Sequence, residues 1–412
     1  MNRRRFLLGG AALGVAAAGA AAWRWLPGQG VRNPCLAALP PDIADHELIR
    51  AAWEGVDPAK VWDCHVHLVG TGDSGSGIWV NPALDSLWHP IQYVQKLFYL
   101  NAGCVHDAPG RADQSYVERM HNLVDGMRPG VKLILLALDY TYDAAGKLDR
   151  EATSFHTPND YARDMARRHP HYFEWAASIH PYREDALAAL DAAVRDGAVA
   201  VKWLPNAMGI DPASGRCDAF YEALARHRLP LITHAGMERA VSGGAQQDNG
   251  NPLKLRRALD HGVRVVVAHC ASLGEDRDLD RGPDGPWVES FSLFERLMED
   301  PRYAANLHAD ISAMTQFDRA EWLERVIERT DWHGRLLNGS DYPLPGVLPI
   351  YGAAVFAERG LLDAEAVPVL NAVQNHNPLL FDYVLKRSLR KNGKQLAKRI
   401  FETRPFFSRE KK

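Results

Sequence analysis

Eight short apolar runs, each followed by a stretch of helical character, constrain this chain of 412 residues more than any other feature. They span residues 61–68, 132–138, 173–179, 198–204, 229–233, 263–268, 304–312 and 336–340. Strands that alternate with helices run parallel, because each connection is long enough to return the chain to the same edge. Eight such units is the count for a closed (β/α)8 barrel, an α/β TIM barrel, with insertions in the loops. By length alone the chain could form two or three domains. The strand count favours one barrel over 61–385, preceded by an amino-terminal segment (1–27) and a Pro/Ala-rich linker (28–60), and followed by a basic tail (386–412). The stretch Val69–Gly110 shows no clear periodicity and reads as a long irregular loop, the kind that serves as a lid or pocket wall.

In a parallel barrel the reacting groups come from the carboxyl ends of the strands. Here those ends carry His65 and His67, Lys202, His234, His269 and Asp341. In Asp63-Cys64-His65-Val66-His67 the two histidines stand two apart, so a strand sends both imidazoles to one face. Taken alone, that pair fits two ordinary core or surface histidines as well as two metal ligands. The spacing of the rest adds weight. His234 lies 32 residues after Lys202 and His269 lies 35 after His234, one strand-helix unit each, while Asp341 lies 72 further on, two units. Imidazoles and a carboxylate delivered from separate strands suit Zn2+, with iron or manganese as other divalent candidates. Asp63 faces the other way and reads as a supporting group. Asp139, His180, Trp203, Asn206, Glu238 and Asp310 fall at or just after strand ends, where substrate contacts or loop-fixing groups arise; His180, Trp203, Asn206 and Glu238 are the substrate-contact candidates. His308 reads as a core histidine.

The amino terminus has the form of an export signal. Arg3-Arg4-Arg5-Phe6-Leu7 precedes an uncharged Ala/Gly-rich run to Ala22, and the paired arginines resemble a twin-arginine signal. That route implies a periplasmic destination. Trp23 and Trp25, directly after a possible cleavage site, also suit an uncleaved anchor and membrane association through it. The five cysteines, Cys35, Cys64, Cys104, Cys217 and Cys270, are widely spaced and suggest neither a disulfide framework nor a cysteine-based zinc site. Cys64 and Cys270 each sit beside a histidine of interest, so alternation turns them toward the outer helices. A net charge of −3 excludes nucleic acid as a main partner. Small-molecule substrates and a homo-oligomer are compatible with the composition. The basic residues from Lys386 to Arg399 read as a solvated helix end and frayed tail.

The set Asp63-x-His65-x-His67, Thr233-His234, Ala268-His269 and Gly339-Ser340-Asp341-Tyr342-Pro343 resembles the amidohydrolase superfamily, in the branch of metal-dependent TIM-barrel hydrolases that also includes aminocarboxymuconate-semialdehyde decarboxylase. The resemblance implies that His65, His67, His234 and Asp341 bind metal. It implies that His269 binds a second ion or contacts substrate, with Asp341 and His269 acting in catalysis. In relatives with two ions a fourth-strand lysine is carboxylated and bridges them. Lys202 stands at that position, and a bridge and a plain charge partner weigh equally, so one or two ions remain open. The chemistry implied is hydrolysis of an amide, lactone or other ester-like bond by metal-activated water. Two alternatives stand beside it: a non-hydrolytic decarboxylase on the same scaffold, and an exported binding protein without activity.

Overall fold

The computed structural model describes residues 32–105, 108–241, 244–348 and 350–408. The signal-like segment 1–27 lies outside them. Eight parallel strands form one sheet: β1 Trp62–His67, β2 Lys132–Leu136, β3 Phe173–Ala177, β4 Ala200–Trp203, β5 Leu231–Thr233, β6 Val265–Val267, β7 Leu307–Asp310 and β8 Leu336–Leu337, each beside its successor. The sheet closes between its first and last members. Cys64 N donates to Asn338 O at 3.1 Å, Asp341 N to His65 O at 2.8 Å and His67 N to Tyr342 O at 2.8 Å. Closure leaves no free edge, as the eight-unit pattern required.

Helices cover the outside. In chain order they include α1 Pro90–Ala102, α2 Ala112–Asp125, α3 Asn159–Arg168, α4 Ala186–Arg195, α5 Asp218–His227, α6 Arg256–Asp260, α7 Ser290–Glu299, α8 Ala320–Glu328 and α9 Pro378–Ser388; others include Glu47–Trp53, inside the stretch read as a linker, and Ala366–His376. Strand alternation divides the core in two. Val66, Leu133, Leu135, Trp175, Val201, Trp203, Leu231 and Val265 face outward onto the helices. Trp62, Ile134, Leu136, Ala176, Ala200, Ile232, Val266 and Leu337 fill the lower interior of the barrel.

Four sequence expectations are corrected. Residues 69–110 are not wholly irregular, since Pro90 starts α1, a thirteen-residue helix crossing the barrel mouth. Cys64 does not pack against helices. In β1, Asp63 pairs with Leu133 and Val66 with Leu135, so Cys64 and His65 together oppose Ile134. This bulge turns Cys64 into the barrel floor with Ile134 and Leu136. Cys35 and Cys104 form a disulfide, which a spacing of 69 residues could not announce, because only the fold brings the ends together. Finally, the basic tail is docked. Lys386 and Arg387 are buried in α9, and Ile400, Phe401 and Phe407 pack inward. Lys386 Nζ donates to Asp382 Oδ2 at 2.6 Å and to Gly339 O at 2.7 Å, which removes it from solvent without leaving its charge unpaired.

Candidate metal centre

The carboxyl ends of the strands converge on one cluster. From β1, His65 and His67 reach upward with ring centroids 5.2 Å apart, and His65 lies 4.9 Å from the His269 ring. The loop after β8 adds Asp341, whose Oδ1 stands 3.0 Å from His67 Nε2 and 3.5 Å from His65 Nε2. His269 Nε2 is 3.9 Å from Asp341 Oδ2, and the His234 ring lies 5.4 Å from that of His269. Lys202 Nζ reaches His65 Nε2 at 3.0 Å. All six residues named as candidate ligands in the sequence therefore meet in one place.

Backbone strain holds several of them. Asp341 has φ 66°, and His269, Cys270 and Ala271 run in succession at 55°, 51° and 50°. Non-glycine residues rarely adopt this left-handed region, and they cluster where a site over-determines the chain. Asp63 anchors the base: its Oδ1 accepts from His65 N at 3.1 Å and from Ser340 N at 2.9 Å, tying β1 to the loop that carries Asp341.

Beneath the imidazoles lies Asp310 at the end of β7, fully buried. Its Oδ2 stands 2.9 Å from His65 Nδ1, and its Oδ1 accepts from His269 N at 3.0 Å and Ser312 N at 3.0 Å. Burial alone would raise its carboxyl, but His65, His269 and Ser312 hold it well below the usual carboxylate range. A carboxylate at Nδ1 fixes the His65 tautomer and leaves Nε2 as a lone-pair donor. Ser312 Oγ lies 2.8 Å from His269 Nδ1 and 3.1 Å from His65 Nδ1. Ser312 was not among the sequence candidates. The signal for it was present in Asp310-x-Ser312, a two-residue step that returns to the same face at a strand end.

The cluster suits a cation. Burial holds His234 at about 4 and pushes His65 and His269 down as well, so all three imidazoles are neutral, the form that ligates. Burial would raise Asp341, yet His269, His65 and His67 hold it well below its ordinary value, as an anion. His234 Nε2 is buried with no hydrogen-bond partner, and Asp341 Oδ1 has the Nε2 atoms of His67 and His65 beside it at 3.0 Å and 3.5 Å, an arrangement that a bound ion would relieve. His65, His67 and Asp341 each offer one donor atom within 4.8 Å of the others, and His65, His269 and Asp310 form a second such group. Nitrogen donors with a carboxylate match zinc and other divalent ions.

The substrate-contact candidates separate. Glu238 stays at the cavity, with Oε2 3.4 Å from His234 Nδ1. The other three are turned away from it. Trp203 follows the inward Lys202, so alternation points it outward, where Nε1 donates to Ile179 O at 2.8 Å and the ring stacks on Phe220 of α5. His180 places Nε2 2.9 Å from Met208 O and accepts Tyr182 N at Nδ1. Asn206 Nδ2 donates to Gly236 O and to Gln247, pinning the loop after β5. Asp139 fixes a loop too, accepting from His180 N and Arg183 Nη1.

A closed parallel barrel with histidines and a carboxylate at the carboxyl ends of its strands is the architecture of a barrel enzyme whose site could hold a metal ion. Residues 62–373 match the profile of the amidohydrolase family, and the chain belongs to it. No curated protein matches the chain in sequence. Among solved structures, the chain is similar to an uncharacterised TIM-barrel protein from Bordetella bronchiseptica, with 15% identity, 69% of this chain and 86% of that one covered, and a TM-score of 0.43. It is similar to a putative 2-pyrone-4,6-dicarboxylic acid hydrolase from Pseudomonas putida, with 15% identity, 78% and 97% coverage and a TM-score of 0.43. A 2,6-dihydroxybenzoate decarboxylase is similar at 14% identity, 78% and 98% coverage and a TM-score of 0.40.

Proposed function

We propose that the protein is a metal-dependent hydrolase that cleaves an amide, lactone or other ester-like bond of a small molecule. One observation carries this reading: His65 Nε2, His67 Nε2 and Asp341 Oδ1 converge at the floor of a cavity, and the buried His234 Nε2 there has no hydrogen-bond partner. These atoms, with His234 beside them, would hold a divalent ion, which would supply Lewis acidity toward a carbonyl and lower the pKa of water from roughly 15.7 to about 7. The chain's own groups do the rest. Asp341, held anionic, takes a proton from the attacking water and passes it to the leaving group. His269 Nε2, with its Nδ1 side engaged by Ser312, faces the reacting carbonyl and orients it. Lys202, buried against His65 Nε2, would serve as a charge partner or, if carboxylated, as a further oxygen ligand for a second ion.

The test is metal analysis of purified protein. Stoichiometric zinc or another divalent metal is expected in the wild type and should be lost in His67→Ala, with the ratio of one or two ions deciding the role of Lys202. A wild type free of metal would sink the enzyme reading and favour a binding protein. The metal-loaded enzyme should then turn over members of a lactone, ester and amide panel, and Asp341→Asn should lower kcat by about 10²–10⁴-fold. Release of carbon dioxide in place of hydrolysis products would assign the decarboxylase alternative.

We also read the chain as exported to the periplasm. The Cys35–Cys104 disulfide supports this, since such bonds persist in oxidising compartments, as does the arginine-led apolar run before Trp23.

A further inference from the structure

Helix α1 has two apolar surfaces with different fates. One face turns Gln95, Lys96, Tyr99 and Leu100 toward the cavity. Gln95 Nε2 donates to Arg239 O at 2.9 Å and the Tyr99 hydroxyl donates to Ala240 O, which holds the helix across the barrel mouth. The opposite face and the turn before it present Leu87, Trp88, Ile91, Val94 and Leu97 to solvent, with Trp88 93% and Leu87 76% exposed. Residues 91, 94 and 97 recur at helical spacing, so these side chains form one stripe. Proteins surrounded only by water rarely leave such a stripe uncovered. No acid lies in α1, and its single cation, Lys96, is paired with Asp85.

The chain enters beside this stripe. Asn33 N donates to Asn101 Oδ1 at 2.8 Å and Asn101 Nδ2 returns to Asn33 O at 3.1 Å, while Cys35 is bonded to Cys104. Residues 1–31, with the arginine cluster, the apolar run and Trp23 and Trp25, therefore continue from the carboxyl end of the same helix. A bilayer that receives that run is held next to the stripe. Behind α1 lies the cavity, with a volume of about 120 Å³. Its walls are hydrocarbon, with Leu84, Leu100, Leu138, Phe155, Val241 and Leu344 above the metal ligands. Among the described residues no arginine lines it; Arg319 lies behind His234 and His269 and is turned to Ser272 and Gln316, Lys96 is paired with Asp85, Lys202 stands at the floor against His65, and Glu238 and Asp341 add negative charge. With the reacting end of a substrate at the ion, a carboxylate at the far end of its tail would lose its hydration among these side chains with no unpaired side-chain cation among the described lining residues to receive it.

We infer that α1 lies on a phospholipid bilayer with Trp88 at the interface, and that the cavity behind it takes a neutral, largely hydrocarbon ester, lactone or amide that partitions out of that bilayer. Only the bond cleaved rests on the hydrolase reading; the docking and the charge preference do not. Amphipathic helices with tryptophan and aliphatic residues on the apolar face bind membranes in this way.

Two measurements test the inference on the full-length, metal-loaded protein. With phosphatidylglycerol/phosphatidylcholine vesicles whose acyl chains carry bromine, part of the tryptophan emission should be quenched. Trp23 and Trp25 account for a share of that part, so it should fall by a distinct Trp88 share in Trp88→Phe and shrink in Ile91→Glu. Equal quenching in the wild type and Trp88→Phe would overturn the docking, and is the outcome if a second copy or the chain's own amino-terminal segment covers the stripe instead. Calorimetry should show a long-chain primary alcohol binding at least about tenfold tighter than the ω-hydroxy acid of equal length, and tightening about fourfold per added methylene. Equal or tighter binding of the hydroxy acid would overturn the substrate class. Neither readout needs turnover, so inactivity on the ester, lactone and amide panel would count against the hydrolase reading alone.

Discussion

His180 shows what a buried histidine does when it is not a ligand. Its ring is enclosed, with Nε2 against Met208 O and Nδ1 accepting Tyr182 N, a pattern that only the neutral tautomer satisfies. Burial pushes its pKa down to about 4, against an ordinary value near 6.5. A depressed histidine contributes stability that is fully present above about pH 6.5 and lost as the pH falls toward 4, because the unfolded chain takes up the proton first. Between pH 7 and pH 5 this one site should cost roughly 2 kcal/mol. Denaturant titrations at the two pH values should show His180→Gln with a smaller drop than the wild type by that amount, and an unchanged drop would refute the assignment. The sequence placed His180 at a strand end and so among the substrate contacts. Position alone could not reveal that its two nitrogens are consumed by backbone groups 2 and 28 residues away. The centre itself was far more legible. His65, His67, Lys202, His234, His269 and Asp341 follow from strand periodicity, whereas Asp310 and Ser312 act from below, and their importance emerges only when β7 is set beside β6. Trp203 could have been placed from alternation alone, once Lys202 was turned inward.

Among the elements, α1 is the one whose place depends on a covalent tie. Its carboxyl end is fastened through Cys104 to Cys35, closing a loop of 69 residues, and through Asn101 to Asn33. Cross-linking a loop of that length restricts the unfolded chain by more than it restrains the folded one. Cys35→Ala should therefore lower stability by about 2–4 kcal/mol, read as a fall in the denaturant midpoint of the oxidised protein that is absent when both proteins are reduced. A fall that persists under reduction would place the effect in packing instead. The helix was hidden in the sequence because its apolar residues face two ways. Tyr99 and Leu100 turn inward and Ile91, Val94 and Leu97 outward, which erases the single-sided periodicity that identifies an ordinary surface helix. The disulfide was hidden for a different reason, since its partners are neighbours only after α1 has crossed the mouth.

At the scale of the molecule, the barrel is completed from its amino-terminal face by the residues read as a charged tail. Two of its lysines are held on α8: Lys391 Nζ pairs with Glu324, and Lys394 Nζ donates to Glu328 O at 2.9 Å. The apolar residues between and after them go inward. Ile400 O accepts from Asn338 N at 2.8 Å at the β8 seam, and Thr403 Oγ1 accepts from Trp62 N at 3.2 Å on β1, so the tail bridges the two strands whose pairing closes the sheet. Phe407 then joins Trp62, Cys64, Ile134, Ala176, Ala200 and Ile232 in the lower interior. Alanines at 176 and 200 leave space there that their own strands do not fill, and the phenyl ring occupies it. Removing that ring opens a cavity bounded by rigid strands, so Phe407→Ala should destabilise the protein by about 3–5 kcal/mol in denaturant unfolding. Metal content should be unchanged, because the ligands stand at the opposite, carboxyl ends of the same strands. Loss of metal together with stability would show that the floor of the barrel sets the spacing of the histidines above it, and a loss of stability below about 1 kcal/mol would show that the ring is not part of the core.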